Sequence, residues 1–188
     1  MDIRIVRYDA LLPHRAALRS VHADAFGAPP WHEDEAGADA FAARLATDVG
    51  RPGFIAALAL EGPDVMGFAT AWTTPRPFPA DRCRPQAAAA LGRDRAEEWL
   101  CGAREVDELA VRTAARGHGI GAALLEAVTG DAPGGRAWLL TSLRSVRATA
   151  FYRHRGWTQA THPSPDGHGC AVFLGPRHPA RTLAAQPL

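Results

Sequence analysis

Two stretches separated by four residues decide the fold: residues 105–111, EVDELAV, and residues 116–121, RGHGIG. The first mixes polar residues into an apolar pattern, as a largely buried strand does. The second has glycine at 117, 119 and 121 and leads into residues 120–128, where apolar side chains recur with helical spacing. Together they predict a strand, a glycine-rich turn and a helix.

The glycine-rich turn is typical of a phosphate-binding site. Without Cβ atoms the backbone can approach a ligand closely, and the first N–H groups of the helix have no intrahelical partner. Those donors and the positive end of the helix dipole attract an anion, and Arg116 adds a positive charge. The alternative is a turn that only lets strand and helix pack closely, which Arg116 and the strand–turn–helix context disfavour.

A nicotinamide dinucleotide is one candidate ligand, because residues 117–122 match the GxGxxA fingerprint. That fingerprint also requires an acidic residue at the end of the next strand, to hold the ribose. The next predicted strand, residues 136–142 (RAWLLTS), is followed by LRS, which contains no acid. The GxxxxGK[ST] motif of nucleoside triphosphatases is absent as well. A dinucleotide-binding module therefore remains only a third hypothesis.

The rest of the chain alternates strand and helix patterns around these stretches. Strands are predicted at residues 3–8, 54–60, 65–73, 136–142, 157–159 and 170–174, and helices at residues 13–26, 33–48, 86–100 and 146–155. This order favours an α/β (α+β) fold with one mixed central sheet of about six to seven strands flanked by helices. An extra helix, residues 86–100, is inserted between the third and fourth strands. Residues 1–175 are predicted to form one domain, and residues 176–188, which lack periodicity, a flexible C-terminal tail.

Composition narrows the possible partners. The 188 residues have a formal net charge of +1, which gives no reason to expect nucleic-acid or membrane binding. The three cysteines show no CxxC spacing and the eight histidines no HxxxH or HxH spacing, so a metal site is not expected. The N-terminus does not resemble a signal peptide, and no run approaches the roughly 18 apolar residues of a membrane span. We expect a cytoplasmic protein that acts on small molecules or on individual protein side chains.

Two motifs resemble those of the GNAT superfamily of acyl-CoA-dependent N-acetyltransferases. Residues 108–111, ELAV, and then residues 116–121 resemble the family's strand and its Arg/Gln-x-x-Gly-x-Gly/Ala acetyl-CoA motif. Downstream, residues 148–157, ATAFYRHRGW, resemble the second motif, A-x-x-F-Y-x-x-x-G-F. The motifs stand in the expected order with one strand between them, and the likeness extends over residues 3–175. The resemblance implies a single-domain GNAT-like fold that uses acetyl-CoA as co-substrate.

The resemblance also implies which residues hold the co-substrate. Backbone N–H groups of the turn would hold the pyrophosphate of coenzyme A, and residues 109–111 would pair with the pantetheine arm as an added strand. The Leu109 N–H would polarise the thioester carbonyl. Ser145 stands where the family often has asparagine, and it can still cap the following helix and donate one hydrogen bond to the cofactor. The predicted cofactor contacts are Leu109, Ala110, Val111, Arg116, Gly117, His118, Gly119, Ile120, Gly121, Ala122, Ser145, Ala148 and Phe151.

Acid–base chemistry is needed because an alkyl amine, with a pKa of about 10.4, is almost fully protonated at pH 7 and cannot attack. Glu105 and Glu108 both lie where relatives place a base, and we favour Glu108, with Glu105 second. The alternative is that both carboxylates only pair with arginines such as Arg104 or Arg112. By the resemblance, Tyr152 would protonate the departing thiolate, although a tyrosine on a helix face is more often part of a core.

Acidic and aromatic segments suggest the acceptor side. Trp31 and Glu33 fall between the first two helices, a region that borders the acceptor in relatives, and Trp99 follows Glu97 and Glu98 near the end of the inserted helix. Converging acidic groups would attract a cationic amine, and Trp31 and Trp99 could stack on it. The alternative is that these acids only favour a helix N-terminus or form a solvated face.

The leading hypothesis is a GNAT-type N-acetyltransferase that moves an acetyl group from acetyl-CoA directly to the primary amine of a small cationic molecule. A protein amine is a second possible acceptor, and the expected state is a monomer or homodimer. The competing hypothesis is a non-catalytic acyl-CoA-binding regulatory module, which Tyr152 and the strand carboxylates disfavour. The sequence specifies neither the amine nor the acyl chain length.

Overall fold

The computed structural model describes residues 2–6, 10–82, 84–164 and 169–184. Within this part of the chain there are seven strands: β1 Asp2–Val6, β2 Ile55–Glu61, β3 Asp64–Thr73, β4 Arg104–Val111, β5 Ala137–Ser142, β6 Thr158–Gln159 and β7 Cys170–Leu174. The same described residues form seven α-helices: α1 Arg15–Phe26, α2 Glu35–Asp48, α3 Arg84–Leu91, α4 Arg93–Arg95, α5 Ile120–Thr129, α6 Val146–His154 and α7 Arg181–Ala184. The predicted α/β fold with six to seven strands is confirmed.

The strands form one mixed sheet in the order β1-β2-β3-β4-β5-β7-β6. The pairs β1–β2, β2–β3, β5–β7 and β7–β6 are antiparallel. β4 and β5 are parallel, and their register joins Arg104–Val106 to Ala137–Leu139. A parallel pair requires a crossover connection, and here the glycine-rich turn and α5 supply it.

Contacts within the chain divide it into two compact units. Unit 1 comprises Met1–Trp72 and Asp107–Gly130, and unit 2 comprises Thr73–Val106 and Asp131–Leu188. Two of the three boundaries fall inside strands, β3 and β4, so that each of these strands contributes residues to both units. Whether residues 1–175 act as one domain stays a prediction.

In unit 1 the core forms around β2, whose residues 55–60 are all buried. A strand that is apolar at every position is typically covered on both faces. α1 adds Leu18 and Val21 to this core, and α2 adds Phe41 and Leu45. Burial of these side chains holds the two helices in place within the unit.

Close packing in unit 1 also depends on Gly67 of β3. A Cβ atom here would lie 2.8 Å from the carbonyl oxygen of Ala110 and 3.2 Å from side-chain atoms of Val111 and Leu124. The first contact is with backbone, which cannot move aside as a flexible side chain can, so a larger residue would overpack the site. Gly67 therefore allows β4 and α5 to approach β3 as closely as they do.

In unit 2 the core forms around Trp138 of β5, which is fully buried. Its indole N–H donates to Thr74 Oγ1 at 2.7 Å, so the buried polar atom is satisfied. Trp99, Leu100 and Val172 belong to the same cluster. Residues that precede β4 and residues of the last strands thus share one core.

The helix predicted over residues 86–100 is correct in position but wrong in continuity. α3 ends at Leu91, Gly92 has a φ of 82°, and α4 and a π-helical turn, Ala96–Leu100, follow. A residue in the left-handed region ends a helix, and glycine adopts that region with little cost. The run of alanines before Gly92, and the arginine, glutamate and leucine residues after it, favour helix so strongly that the sequence pattern alone does not show the break.

Residues 176–184, predicted to lie in a flexible tail, are instead packed. They contain α7, and His178, Ala180 and Ala184 are buried in unit 2. The His178 ring donates from Nε2 to the Trp99 carbonyl oxygen at 3.0 Å, and its Nδ1 accepts from the Ala180 N–H at 3.1 Å. Side-chain hydrogen bonds of this kind hold a segment without any periodicity in its sequence. Residues 185–188, residues 7 and 8 of the predicted first strand and Cys83 lie outside the described residues.

Acid is expected to destabilise unit 2 through His178. Burial lowers the pKa of this imidazole below its ordinary value of about 6.5. Because the folded-state pKa is the lower one, the unfolded chain binds more protons in acid, and the stability present above about pH 6.5 is lost as the pH falls. At about pH 7.5, His178→Gln should melt a few degrees below the unmodified protein, since hydrogen bonds of about 1 kcal/mol each are lost. Circular-dichroism melts should show that this difference in melting temperature becomes smaller towards about pH 5.5. A difference that does not depend on pH would contradict a lowered pKa of His178.

Candidate active site

The glycine-rich turn lies in unit 1 and presents an open helix N-terminus. Gly117 and Gly119 have φ angles of 85° and 79°, in the left-handed region that favours glycine. A Cβ atom at either position would meet nothing within 4 Å, so backbone conformation, and not packing, requires glycine here. Gly119 is the N-cap of α5, and no side chain caps the helix. Residues 117–119 are exposed, so the first N–H groups of α5 are accessible to an anion.

Arg116 is held in a way the sequence does not predict. Its Nε donates to the Val111 carbonyl oxygen at 3.2 Å, and its Nη2 donates to the Ala25 carbonyl oxygen at 3.3 Å. The guanidinium thus joins the end of α1 to the end of β4 and fixes the start of the turn. Its positive charge stays beside the turn, while a direct bond from Arg116 to a pyrophosphate stays a prediction.

β4 carries the predicted thioester-binding residues Leu109, Ala110 and Val111. The parallel register of β4 with β5 covers Arg104–Val106 and ends before these residues. Beyond them, the Arg112 N–H donates to the Met66 carbonyl oxygen at 2.9 Å, so the strand continues to pair with β3.

Glu108, the favoured base, lies in unit 1 with its side chain 14% exposed. Its Oε1 is 3.3 Å from Arg44 Nη2 and 3.7 Å from His22 Nε2. An arginine pairs with Glu108, as the alternative interpretation has it, but the partner is Arg44 and not Arg112. Arg112 donates instead to the Val65 carbonyl oxygen and to Ser20 Oγ.

His22 is a site residue that the sequence reasoning missed. Its ring is buried in unit 1, stacked on Phe41 with centroids 4.4 Å apart, and Nδ1 lies 3.7 Å from Glu33 Oε2. The sequence does hold one indication of it: His22 stands four residues after Leu18, on the apolar face of α1. A histidine on an apolar helix face either fills a core or serves a site, and the sequence does not show which carboxylates surround it.

Glu105, the second candidate base, lies in unit 2 and is committed to a buried ion pair. Its Oε1 accepts from Arg84 Nε at 2.9 Å and from Arg84 Nη2 at 2.5 Å, and its Oε2 accepts from Thr74 Oγ1 at 3.2 Å. Burial alone would lower the pKa of Arg84, but the charge and hydrogen bonds of Glu105 outweigh it and raise that pKa. A carboxylate held in this way is poorly suited to accept a substrate proton, which weakens the prediction for Glu105. Arg104, an arginine that the alternative interpretation pairs with these carboxylates, donates a hydrogen bond to Asp131 instead.

The second motif forms α6 of unit 2, with Ser145 as its N-cap residue. The Ser145 side chain makes no capping hydrogen bond, contrary to the sequence-based expectation. Its carbonyl oxygen accepts from the N–H and the hydroxyl of Thr149, at 2.9 and 3.1 Å. Ala148 and Phe151, the other predicted cofactor contacts of this motif, are half-buried.

Tyr152 packs among aromatic rings of unit 2. Its ring centroid lies 5.3 Å from Phe151, 5.9 Å from Trp157 and 6.2 Å from Phe173, and the residue is buried. The ring therefore fills a core position, as the alternative interpretation expects. A fixed ring is also what a positioned proton donor needs, so the catalytic role of Tyr152 stays a prediction.

The predicted acceptor residues have different environments. Trp31 is half-buried in unit 1 and packs edge-on against Phe26 with centroids 5.8 Å apart. Trp99 is buried in the core of unit 2, and the Arg95 guanidinium already lies 5.4 Å above its ring. The structure therefore does not support the predicted stacking of Trp99 on an acceptor. Glu97 also has partners within unit 2, because it accepts from the Phe78 N–H at 2.8 Å.

Other kinds of site find little support in the part of the chain that the structure describes. There, no group of three or more His, Cys, Asp or Glu residues is placed to hold a metal ion. Burial and the neighbouring Glu97 raise the pKa of the Cys101 thiol to about 11, so this cysteine is not a thiolate at pH 7. Every helix in the described segments falls short of the length and apolar character needed to span a lipid bilayer.

Comparison with known proteins supports the resemblance found in the sequence. Residues 82–159 match the family model described as the acetyltransferase (GNAT) domain. The predicted resemblance to the GNAT superfamily is confirmed over these residues. This match supports an acyltransferase enzyme, and the fold supports acetyl transfer in general. No curated protein has significant sequence similarity to this chain.

Solved structures of proteins named as acetyltransferases share the fold along nearly the whole chain. A Corynebacterium glutamicum protein described as histone acetyltransferase HPA2 and related acetyltransferase is 18% identical, with a TM-score of 0.63 over 100% of this chain and 99% of that one. The PaiA N-acetyltransferase of Thermoplasma acidophilum, solved with coenzyme A, is 12% identical, with a TM-score of 0.56 over 93% and 99%. The ribosomal-protein-S18-alanine N-acetyltransferase of Escherichia coli is 17% identical, with a TM-score of 0.54 over 94% of each chain. At these identities the likeness establishes the fold.

Proposed function

We propose that this protein transfers an acetyl group from acetyl-CoA directly to the primary amine of a small cationic molecule. The observation that carries the proposal is the accessible N-terminus of α5, which follows two left-handed glycines and has no side-chain cap. Such a terminus offers several N–H donors to a diphosphate, which is the group that coenzyme A would present there. The family match makes acetyl-CoA the expected source of that diphosphate.

The co-substrate would be held mainly by backbone groups of this chain. N–H groups from Gly117 to Ala122 suit the pyrophosphate, and the strand edge at residues 109–111 suits the pantetheine arm. Ser145 supports this assignment, because its hydroxyl is not used to cap α6. Bound acetyl-CoA supplies an activated acetyl thioester, and the Leu109 N–H would donate to its carbonyl oxygen.

Proton transfer would be shared between Glu108 and Tyr152. Glu108 would remove a proton from the amine, because it is partly exposed whereas Glu105 is bound by Arg84 in a buried pair. Tyr152 would give its proton to the departing thiolate. No covalent enzyme intermediate is needed, since the amine attacks the thioester directly.

Charge supports a cationic acceptor. Glu33 and Glu108 lie on either side of one imidazole in unit 1, and two carboxylates in one region favour an ammonium ion. Trp31, half-buried in the segment that leads to Glu33, could pack against the acceptor. A protein amine is the second candidate, because the Escherichia coli relative acts, by its name, on an alanine of a ribosomal protein. We further propose a cytoplasmic monomer or homodimer.

The test is acetyl-CoA turnover against a library of primary amines, with mass-spectrometric detection of the acetylated product. We expect turnover with at least one small cationic amine, and a loss of about 100-fold or more in kcat for Tyr152→Phe, which keeps the ring in its core position. Acetyl-CoA should raise the melting temperature and NAD should not. Binding without thiol release for any amine, and no effect of Tyr152→Phe, would instead identify a non-catalytic acyl-CoA-binding module.

A further inference from the structure

His22 of α1 lies between two carboxylates that belong to other parts of unit 1. Its Nε2 is 3.7 Å from Glu108 Oε1 in β4, and its Nδ1 is 3.7 Å from Glu33 Oε2 in the segment before α2. The His22 side chain is 3% exposed, whereas those of Glu108 and Glu33 are 14% and 37% exposed. A buried imidazole thus separates two acids that both reach solvent.

The ring is fixed in orientation but not satisfied in its hydrogen bonds. Phe41 stacks on it with an interplanar angle of 10°, and Phe26 lies 4.5 Å away between centroids. Among the described residues, Nδ1 has no hydrogen-bond partner. A buried polar atom without a partner costs about 1–3 kcal/mol, so a histidine that only fills space would normally donate to a carbonyl oxygen. The folded protein keeps the energetic cost of this buried nitrogen, and a functional role for His22 would explain why.

We propose that Glu33, His22 and Glu108 together form a proton-accepting triad. In this triad His22 is a positioning residue that takes the proton from the base Glu108. The inference rests on the proposed function. The Glu33 carboxylate favours the tautomer with the proton on Nδ1, which leaves the lone pair of Nε2 facing Glu108. Both separations exceed a hydrogen bond by a few tenths of an ångström, and such contacts tighten when substrate binds.

The stoichiometry of the reaction gives His22 its task. An alkylammonium must lose two protons to become an amide, one before it attacks and one as the amide forms. The first N–H bond breaks as an O–H bond forms on Glu108, and the proton then moves to Nε2, so that an imidazolium stands between two carboxylates. Glu108 is again a carboxylate and accepts the second proton. After product release one of the two protons replaces the proton that Tyr152 gave to the thiolate, and the other is released to water.

Among the residues that the structure describes, few other charges contact these three side chains. Arg44 of α2 contacts the same oxygen of Glu108, with Nη2 at 3.3 Å, and its side chain is 42% exposed. Arg19 and Asp24, on the same helix as His22, make their contacts elsewhere: Arg19 with two acids of α2, and Asp24 with the Thr113 N–H. The imidazole is therefore faced by Glu33 and Glu108, with Arg44 acting on it only through Glu108.

His22→Phe tests the role, because phenylalanine keeps an aromatic ring in the stack and carries no proton. Near pH 7 we expect kcat/KM for the amine to fall about 10- to 100-fold, with the KM for acetyl-CoA unchanged. The loss should shrink as the pH approaches about 10, where the amine loses its first proton in solution. A loss of the same size at every pH would show a purely structural role and would overturn the proposal.

Glu33→Gln provides a second variant that leaves the core untouched, and Glu35→Gln, on an exposed neighbouring residue, is its matched control. Glu33→Gln should reproduce the pH-dependent loss of kcat/KM for the amine, and Glu35→Gln should leave the pH profile of kcat/KM unchanged.

Nitrogen-15 NMR of the protein alone should find His22 as the Nδ1–H tautomer, and as a mixture of tautomers in Glu33→Gln. The opposite tautomer in the unmodified protein would also overturn the proposal.

The outcomes separate this inference from the proposed function. If the folded, unmodified protein acetylates no amine at any pH, the proposed function fails, and the relay fails with it. If it turns over normally and His22→Phe keeps an unaltered pH profile, only the relay fails.

Discussion

Glu105→Gln is expected to lower the free energy of unfolding by about 3–5 kcal/mol, the largest effect that we expect from a single substitution in this protein. Two N–H groups of Arg84 end on Glu105 Oε1, and both side chains are less than 10% exposed. Removing the charge of Glu105 leaves a buried guanidinium whose remaining carboxylate partner, Asp81, is half-exposed. The cost therefore includes the loss of the buried carboxylate that compensates the charge of Arg84, and not only a lost contact.

Urea or thermal unfolding measures this effect, with Glu61→Gln at the exposed end of β2 as the control. The double variant Arg84→Met, Glu105→Leu should recover much of the loss, because replacing both ions avoids leaving one of them alone. A Glu105→Gln protein as stable as the Glu61→Gln control would refute the buried pair. Assayed below its melting transition, Glu105→Gln should keep kcat within a few-fold, whereas Glu108→Gln should lose about 100-fold or more.

Gly119→Ala is expected to raise the Kd for acetyl-CoA about 10- to 100-fold. An L-residue at a φ of 79° costs about 1–2 kcal/mol, and the turn can relax this strain only by reorienting the N–H groups that begin α5. The added Cβ would also point into open space, which is where a diphosphate has to approach. Both effects weaken the binding of acetyl-CoA, while the free energy of unfolding falls only by the cost of the backbone strain.

Gly62→Ala is a matched control for that variant. Gly62 lies in the β2–β3 turn with a φ of 59°, and a Cβ there would likewise meet nothing within 4 Å. Both variants should therefore lose similar thermal stability, but calorimetric titration should show weaker acetyl-CoA binding for Gly119→Ala alone. Equal affinities in the two variants would exclude the α5 N-terminus as the diphosphate site.

Local patterns predicted most of the elements, because the signals that set them are local. The glycine-rich turn ahead of α5, the apolar run of β2 and the glycine at 156 that ends the second-motif helix are each readable within about ten residues. The structure departs from prediction at Gly92 and after Pro176, where a single φ angle and a few side-chain hydrogen bonds decide the outcome. Neither leaves a periodic trace in the sequence.

The candidate site was predictable only where a motif carries it. The turn, β4 and Tyr152 come from two motifs, and their spacing was enough to name the family. The partners of the acidic residues were not predictable, since Glu105 meets Arg84 from 21 residues away and Glu108 meets Arg44 from 64 residues away. A sequence shows which charges are present, and only the fold shows which of them meet.

Gly67 has a consequence that reaches beyond packing. Coenzyme A has a limited length between its diphosphate and its thioester sulfur. A protein that binds both groups must therefore hold its two binding sites at a distance that fits this length. In unit 1 the proposed diphosphate site begins α5 and the proposed thioester site lies in β4, and Gly67 lets both pack closely against β3. The missing side chain at position 67 would therefore set the distance between the two proposed sites, although Gly67 itself would contact neither end of coenzyme A.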